Sequence, residues 1–274
     1  MSDAGKEVVL EMRGITKIYE NGFVANKDVH FSVRRGEIHA LCGENGAGKS
    51  TLMKVLFGDE QPDAGQIIYQ GKPIQIANPL HALEYGIGMV HQHFMLVPSL
   101  TVAENMVLGM EPKRRGMFRS REAVEMVREV SEKYNLPIDP QARVADLPVG
   151  FKQRVEILKI LLRGVNILIL DEPTAVLTPQ ETAELFEELI HLKEKGYTII
   201  FISHKLNEVK AICDRLTVLR DGRVIGTADV ADLSEQDISR MMVGRDVSLT
   251  IDKSKAKPRE PALTVKDVSY TDQN

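Results

Sequence analysis

The chain has 274 residues, of which 43% are hydrophobic and 27% are charged, a composition that is ordinary for a soluble globular protein. Its formal net charge is −4 and its pI is about 6.0, so it lacks the basic excess of a typical nucleic-acid-binding protein. The cysteines, Cys42 and Cys213, show no disulfide or metal-binding spacing, and no apolar run reaches the roughly 18 residues of a membrane span.

Strands and helices alternate along most of the chain, which predicts an α/β fold with a mostly parallel sheet. The apolar run from Ile167 to Leu170 is typical of a central strand of such a sheet. Strands are predicted from Val8 to Met12, Val29 to Val33, Glu37 to Cys42, Gln66 to Tyr69, Ile87 to His91, Ile167 to Leu170, Tyr197 to Ile202 and Arg215 to Leu219. Helices are predicted from Lys49 to Phe57, Pro79 to near Gly86, Ser120 to Tyr134, Pro148 to Leu162, Pro179 to Lys195, Leu206 to Cys213 and after Ser234.

The segment of about residues 94–164 interrupts this alternation and is mostly helical in pattern. Thr101 with Glu104 predicts a capping box at the start of one of its helices. We therefore expect a separate helical lobe inserted into the α/β domain.

A glycine-rich loop follows the strand that ends at Cys42, and a helix follows the loop. The loop matches the phosphate-binding pattern GxxxxGK[ST] in the strand–loop–helix context that this pattern requires. Its glycines allow close backbone approach to phosphate oxygens, Lys49 is expected to reach the β- and γ-phosphates, and the Ser50 hydroxyl is expected to ligate Mg²⁺. The predicted phosphate-binding residues are Gly43, Glu44, Asn45, Gly46, Ala47, Gly48, Lys49, Ser50 and Thr51.

Two carboxylates end the apolar strand at Asp171 and Glu172. Asp171 suits an outer-shell hold on Mg²⁺, and Glu172 is placed to polarise or deprotonate an attacking water. The alternative is a pair of ordinary helix-capping carboxylates. Together with the glycine-rich loop, the pair predicts a P-loop NTPase without saying which kind.

Four further features narrow the assignment: Gln92 in GMVHQHF, the stretch LPVGFKQ that contains Gly150, His204 after the strand YTIIFIS, and Tyr19 ahead of the phosphate loop. Their order, from residue 7 to about 246, resembles the ABC ATPases. The resemblance implies a P-loop NTPase (RecA-like) core with an antiparallel β subdomain and an inserted helical lobe. It also implies ATP and Mg²⁺ as ligands.

By this resemblance, the Tyr19 ring stacks on adenine, Gln92 contacts Mg²⁺ and the attacking water, and His204 contacts the γ-phosphate. Gly150 belongs to the signature segment, which in this family binds the γ-phosphate held by the opposite nucleotide-binding half. Alternatives without a ligand role are a surface strand residue for Tyr19 and a helix-cap residue for His204.

The chain departs from the general family pattern in the signature, where Pro148 stands at the usual serine and Val149 at the first glycine. Proline offers neither a hydroxyl nor an N–H group. A second departure is Ala175-Val-Leu-Thr178, where SALD is usual. Both departures resemble the tandem ATPases of simple-sugar and nucleoside importers, most closely the nucleoside branch.

This resemblance implies several partners: a second nucleotide-binding half in the same protein, transmembrane permease subunits and, indirectly, a substrate-binding lipoprotein. It implies a peripheral position at the cytoplasmic face of the membrane, and the net charge of −4 argues against a nucleic-acid partner. The departures in the signature lead us to expect one strong ATP site, on this half's phosphate loop, and one weaker site closed by this half's signature. The alternatives are a sugar importer, a soluble ABC ATPase without a membrane, and a nucleotide-gated module that does not hydrolyse ATP.

A short internal similarity predicts the domain organisation. Leu10, Met12 and Ile15 recur as apolar residues at Leu263, Val265 and Val268. A charged, proline-containing stretch precedes this second occurrence and is typical of a linker. We expect a nucleotide-binding domain over residues 1–246, a linker over 247–261 and the start of a second domain over 262–274. Chance similarity between two short strands is the alternative.

Overall fold

The computed structural model describes residues 7–114, 116–245 and 263–269. Within these ranges the chain forms twelve strands and eight α-helices. The strands are β1 Val8–Ile18, β2 Val24–Arg34, β3 Ile38–Cys42, β4 Ala64–Tyr69, β5 Lys72–Ile74, β6 Ile87–Val90, β7 Lys113–Arg114, β8 Met117–Phe118, β9 Ile167–Asp171, β10 Thr198–Ile202, β11 Arg215–Arg220 and β12 Arg223–Asp229. The helices are α1 Lys49–Phe57, α2 Pro79–Glu84, α3 Val102–Met106, α4 Ser120–Tyr134, α5 Val149–Leu162, α6 Pro179–Glu194, α7 Leu206–Ile212 and α8 Glu235–Val243.

A six-stranded sheet forms the centre, in the order β12-β11-β3-β10-β9-β6. Its strands pair in parallel except for β12, which is antiparallel to β11. In the register of this sheet Ile202 lies opposite both Asp171 and Leu41. The carboxyl ends of β3, β9 and β10 therefore meet at one edge, and the segments that follow these strands are brought together there.

The second sheet is antiparallel, in the order β2-β1-β4-β5. Both β1 and β2 are 11 residues long and extend beyond the predicted strands. The strand predicted from Val8 to Met12 continues to Ile18. Its pairing with β2 and its pairing with β4 each have a register shift that spans Gly14, whose φ is 64°. β2 lies at the edge of this sheet.

Alternate residues of the central strands point to opposite sides of the sheet and fill two apolar cores. Leu168 and Leu170 contribute to the core that contains α4, α5 and α6, while Ile167 and Ile169 contribute to the core that contains α1 and the antiparallel sheet. Because both faces are covered, all five residues of β9 are buried, as predicted for a central parallel strand.

The inserted lobe contains α3, α4 and α5, and the Thr101–Glu104 capping box is present at the start of α3. The helix from Ser120 to Tyr134 has the predicted bounds, while the small antiparallel pair β7–β8 was not predicted. Its strands have two residues each and leave no periodic pattern in the sequence. None of the helices in the described part of the chain is both long and apolar enough to cross a membrane.

The predicted linker, residues 247–261, lies outside the described residues. Residues 263–269 form neither helix nor strand. Leu263, Val265 and Val268 are 82%, 66% and 75% exposed. Their alternating apolar pattern is therefore not used for packing in this structure, and the domain division remains a prediction.

Candidate functional site

The phosphate loop lies between β3 and α1, as predicted. Gly48 is the N-cap residue of α1 in the left-handed conformation, with φ at 97°. A Cβ atom on Gly48 would lie 2.3 Å from the carbonyl oxygen of Ala25, and one on Gly43 would lie 2.4 Å from that of Leu219. Close backbone approach therefore requires glycine at both positions. The first turn of α1 contains no acidic residue, so no side chain of the helix's own first turn offsets its partial positive charge.

Lys49 points into the centre of the loop. Its Nζ donates to the carbonyl oxygens of Gly43, at 2.8 Å, and Glu44, at 2.9 Å. Burial lowers the pKa of Lys49, and the nearby charges of Glu172 and Asp171 act in the opposite direction. An ammonium group held in a loop of amides is suited to bind a polyanionic phosphate chain.

Asp171 ends β9 beside the first turn of α1. The Ser50 hydroxyl donates to Asp171 Oδ1 at 3.4 Å. Burial raises the pKa of Asp171, while the hydrogen bond from Ser50 opposes that change. A hydroxyl and a carboxylate next to a phosphate cradle are the hard oxygen donors that Mg²⁺ selects, so these residues fit the metal that the sequence predicts.

The Glu172 carboxylate contacts both Gln92 and His204. Its Oε2 accepts from Gln92 Nε2 at 3.3 Å, and its Oε1 lies 3.0 Å from His204 Nδ1. These side chains follow β6, β9 and β10, three neighbouring strands of the sheet. Glu172 also has a φ of 47°, a conformation that is costly for a residue with a side chain and is concentrated at functional sites. The structure thus brings together three residues that the sequence placed far apart.

Glu44 and Asn45 of the phosphate loop line a cavity of about 550 Å³ together with His204 and residues of α8. The phosphate loop is therefore open towards this cavity, next to the catalytic candidates.

Tyr19 lies apart from the acidic pair, in the turn between β1 and β2. Its hydroxyl is 3.3 Å from Thr51 Oγ1, which connects the turn to α1. The Tyr19 ring is stacked on Phe23, with ring centres 6.5 Å apart and planes inclined by 18°, and the Lys17 ammonium lies 5.6 Å from its centre. An aromatic surface next to the phosphate loop suits the base of a nucleotide. Phe23, which is 55% exposed, was not predicted as part of this surface.

Gly150 lies in the first turn of α5, and no hydrogen bond within the described ranges joins it to the phosphate loop. Its N–H donates instead to Glu181 Oε1 at 3.0 Å. Pro148, at the N-cap of α5, provides no side-chain cap. In the described part of the chain, the Gly150 N–H is therefore bonded to α6 and not to this chain's own phosphate loop.

Comparison with known proteins decides the family. The profile of the ABC transporter family matches residues 26–175, more than half of the chain. The chain belongs to the ABC transporter family. The match includes the phosphate loop, Gln92, the signature segment and the acidic pair, while Tyr19 and His204 lie outside it.

Two curated relatives of this ABC chain are importer subunits. The guanosine import ATP-binding protein NupO of Bacillus subtilis is 50% identical over 97% of this chain and 52% of its own length. The glucose import ATP-binding protein TsgD13 of Haloferax volcanii is 47% identical over 97% of this chain and 54% of its own length. The chain thus spans about half the length of the curated relatives it matches.

Solved structures agree with the fold. The ATP-binding cassette MJ1267 in its ADP conformation superimposes with a TM-score of 0.74 at 27% identity, over 85% of this chain and 94% of the other. The dimeric cassette MJ0796 bound to ADP and Pi gives 0.68 at 25% identity, over 81% and 98%. The predicted P-loop core with an antiparallel sheet and an inserted helical lobe is confirmed.

Sequence analysis missed a buried network that holds the ABC site together. Glu208, which is 4% exposed, accepts from Thr174 Oγ1 at 2.8 Å and from Ser203 Oγ at 3.1 Å, and it forms an ion pair with Lys205 at 2.9 Å. Lys205 Nζ also donates to the Thr174 carbonyl oxygen at 3.1 Å.

This network joins the loop that follows Glu172 to the loop that carries His204. The signal in the sequence was weak. Glu208 comes four residues after His204, on the inward face of a short helix where an acidic residue is unusual.

Proposed function

We propose that this chain is one nucleotide-binding half of a tandem ATPase, and that it binds and hydrolyses ATP to energise the import of nucleosides. The observation that carries the proposal is the convergence of Lys49, Ser50, Asp171 and Glu172 at one edge of the parallel sheet, with Gln92 and His204 on the Glu172 carboxylate. This set contains a phosphate clamp, a pair of metal-ligand oxygens and a positioned base.

In the proposed reaction, residues 43–51 hold the phosphates, and Tyr19 stacks on the adenine. Ser50 and Gln92 would contact Mg²⁺ directly, and Asp171 would hold it through its outer shell. When bound, the metal offsets negative charge on the phosphates.

Glu172 takes a proton from the attacking water. Gln92 and His204 fix the orientation of the Glu172 carboxylate in the structure, and His204 would also donate towards the γ-phosphate.

We propose that the full-length protein has two composite ATP sites. In each, the phosphate loop of one half would face the signature segment of the other, with Gly150 presenting its N–H group to the γ-phosphate held by the other half. Three observations support this: the Gly150 N–H is bonded to α6 and, within the described residues, not to the phosphate loop of its own chain, the curated relatives are about twice as long as this chain, and the similar MJ0796 cassette is dimeric. The apolar pattern of β1 recurs at Leu263, Val265 and Val268, as expected if a second half begins there after a linker over residues 247–261.

The importer would need transmembrane permease subunits and, indirectly, a lipoprotein receptor, and this protein would lie peripherally at the cytoplasmic face of the membrane. Nucleosides are favoured as cargo because NupO, at 50% identity, is by name a guanosine import ATP-binding protein. Sugar import is the second candidate, supported by TsgD13 at 47% identity. Uptake of labelled guanosine and of labelled glucose, measured in cells with and without the intact gene, would separate the two cargoes.

The central test is Glu172→Gln in the full-length protein. The amide keeps the shape of the side chain but cannot accept a proton, and removing a general base typically costs about 10²–10⁴-fold in rate. We expect turnover at this half's site to fall by that order while ATP affinity is retained. Site-specific trapping of ATP measures both.

The matched control is Glu187→Gln, which removes the same charge from an exposed position on α6 and should leave turnover unchanged. Turnover by the Glu172→Gln protein at the rate of the unmodified protein would remove Glu172 from the role of base.

A further inference from the structure

The N-terminal end of α5 lacks the usual means of satisfying its own amide groups. The helix has 14 residues, its N-cap is Pro148 without a side-chain cap, and its first turn contains no acidic residue. Helix N-termini carry unpaired N–H groups and a partial positive charge, which normally attract a capping side chain or an anion. Pro148 has no side-chain oxygen to offer, so an acceptor must come from elsewhere.

Glu181 of α6 supplies that acceptor. Its Oε1 accepts from the N–H of Gly150 at 3.0 Å, while its Oε2 accepts from the N–H and the hydroxyl of Thr178, both at 2.9 Å. The Thr178 and Gly150 hydrogen bonds lower the pKa of Glu181, so the carboxylate is anionic at neutral pH. One side chain therefore completes the capping box of α6 and caps α5 at the same time.

The packing around Gly150 shows how closely the carboxylate fits. A Cβ atom on Gly150 would lie 2.8 Å from Glu181 Oε1 and 3.2 Å from its Cδ. The space above the first turn of α5 is thus filled by Glu181, and a side chain at residue 150 would displace it.

We propose that Glu181 occupies the position on Gly150 that a γ-phosphate would need, and so weakens the ATP site that this half's signature segment closes. This inference rests on the proposed composite sites. A carboxylate and a phosphate oxygen compete for the same N–H group. Two anions that both lie within hydrogen-bonding reach of that group also repel each other. The nucleotide held by the other half must displace Glu181 before the site can close.

Glu181 and Pro148 act in the same direction. Pro148 withholds the hydroxyl that the family's usual serine would offer to phosphate, and Glu181 takes up the N–H of Gly150. The site closed by this segment is therefore weaker for two separable reasons, of which the carboxylate is the one that a single substitution can reverse.

The test uses the full-length protein with Lys49→Ala, so that nucleotide binding reports on the other half's phosphate loop and on this half's signature segment. Adding Glu181→Gln keeps an acceptor for Thr178 but removes the charge. We expect MgATP to bind about three- to tenfold more tightly, with a smaller gain at high salt because the repulsion is Coulombic. Equilibrium titration with a fluorescent ATP analogue measures this.

Glu181→Asp is the second variant. An aspartate at the same helix position completes the capping box of α8, where Ser234 pairs with Asp237. The shorter side chain should therefore preserve the cap of α6 while losing its reach to Gly150, and it should also tighten ATP binding. Glu184→Gln, one turn further along α6, removes a charge without contacting Gly150 and should leave the affinity unchanged.

Unchanged or weaker affinity in both Glu181 variants would overturn the proposal and leave the proposed function intact. If the Lys49→Ala protein bound no ATP at all, the composite-site model itself would fail, and this inference with it.

Discussion

The carboxyl edge of the central sheet and the N-terminal end of α5 both carry positive charge next to backbone N–H groups, but they differ in how that charge is offset. At the sheet edge, Lys49 and the first turn of α1 leave positive charge directed into an open loop. At α5, the positive helix end is already neutralised by Glu181. The positive charge of the first region is free of a capping carboxylate from its own helix, whereas the helix end in the second region already has the Glu181 carboxylate bonded to it.

The difference follows from where each region takes its residues. The sheet edge collects segments after four parallel strands, and the register of those strands fixes their positions. The α5 end depends on a contact between two helices, in which a side chain can move without disturbing the sheet. We therefore expect substitutions at the sheet edge to have larger effects than those at the periphery of the site.

The largest effect is expected for Gly48→Ala, which changes the phosphate loop itself. The new Cβ atom would lie 2.3 Å from the Ala25 carbonyl oxygen, at a φ of 97° that alanine rarely adopts. The loop must shift, and a lost hydrogen bond to a charged phosphate costs about 1.5–3 kcal/mol. We therefore expect ATP affinity at this half's site to fall about 10²-fold, as measured by calorimetric titration.

Gly36→Ala, outside the phosphate loop, is the control, because nothing lies within 4 Å of its Cβ position although its φ is also positive. It should lose only the backbone contribution, roughly 1–2 kcal/mol of stability. Equal losses of affinity in the two variants would mean that the close approach to β2 does not shape the loop.

The sequence predicted the sheet edge well because its residues carry local signals. The phosphate loop follows an apolar strand, and Asp171 and Glu172 end another, so their meeting at one edge follows from parallel topology alone. The extension of β1 beyond Met12 and the β7–β8 pair could not be predicted, since bulges and two-residue strands leave no periodic pattern.

The contact between Gly150 and Glu181 could not be predicted either. Thr178 and Glu181 form a capping box at the start of α6, and this local role accounts for Glu181 without any contact to α5. Only packing in three dimensions revealed that its second carboxylate oxygen reaches α5.

An effect of intermediate size is expected for Glu208→Gln, which weakens the buried network that joins the loop after Glu172 to the loop that carries His204. The amide can still accept from Thr174 but loses the ion pair with Lys205 and cannot satisfy every donor around it. The loops that carry Glu172 and His204 should become less well aligned. We expect turnover to fall about tenfold, a fraction of what a general base contributes, with ATP affinity unchanged.

Steady-state turnover of the full-length protein, with and without His204→Ala, measures this coupling. Glu208→Gln should add little once His204 is removed, because the two changes disturb one unit. Glu37→Gln is the matched control: Glu37 is also fully buried and hydrogen-bonded, but it lies at the opposite end of β3. A similar loss of turnover in the control, or full additivity with His204→Ala, would make Glu208 a general stability residue.

The smallest effect is expected at Tyr19, which is proposed to contact the adenine of ATP and not its phosphates. Tyr19→Ala removes the ring, and an aromatic contact contributes about 0.5–1.5 kcal/mol beyond its buried area, so ATP affinity should fall about three- to tenfold with turnover at saturating ATP unchanged. Tyr19→Phe keeps the ring and loses only the hydroxyl contact with Thr51, so it should bind nearly as well as tyrosine. If Tyr19→Phe lost as much affinity as Tyr19→Ala, the hydroxyl contact with α1, and not stacking on a base, would be what Tyr19 contributes to the site.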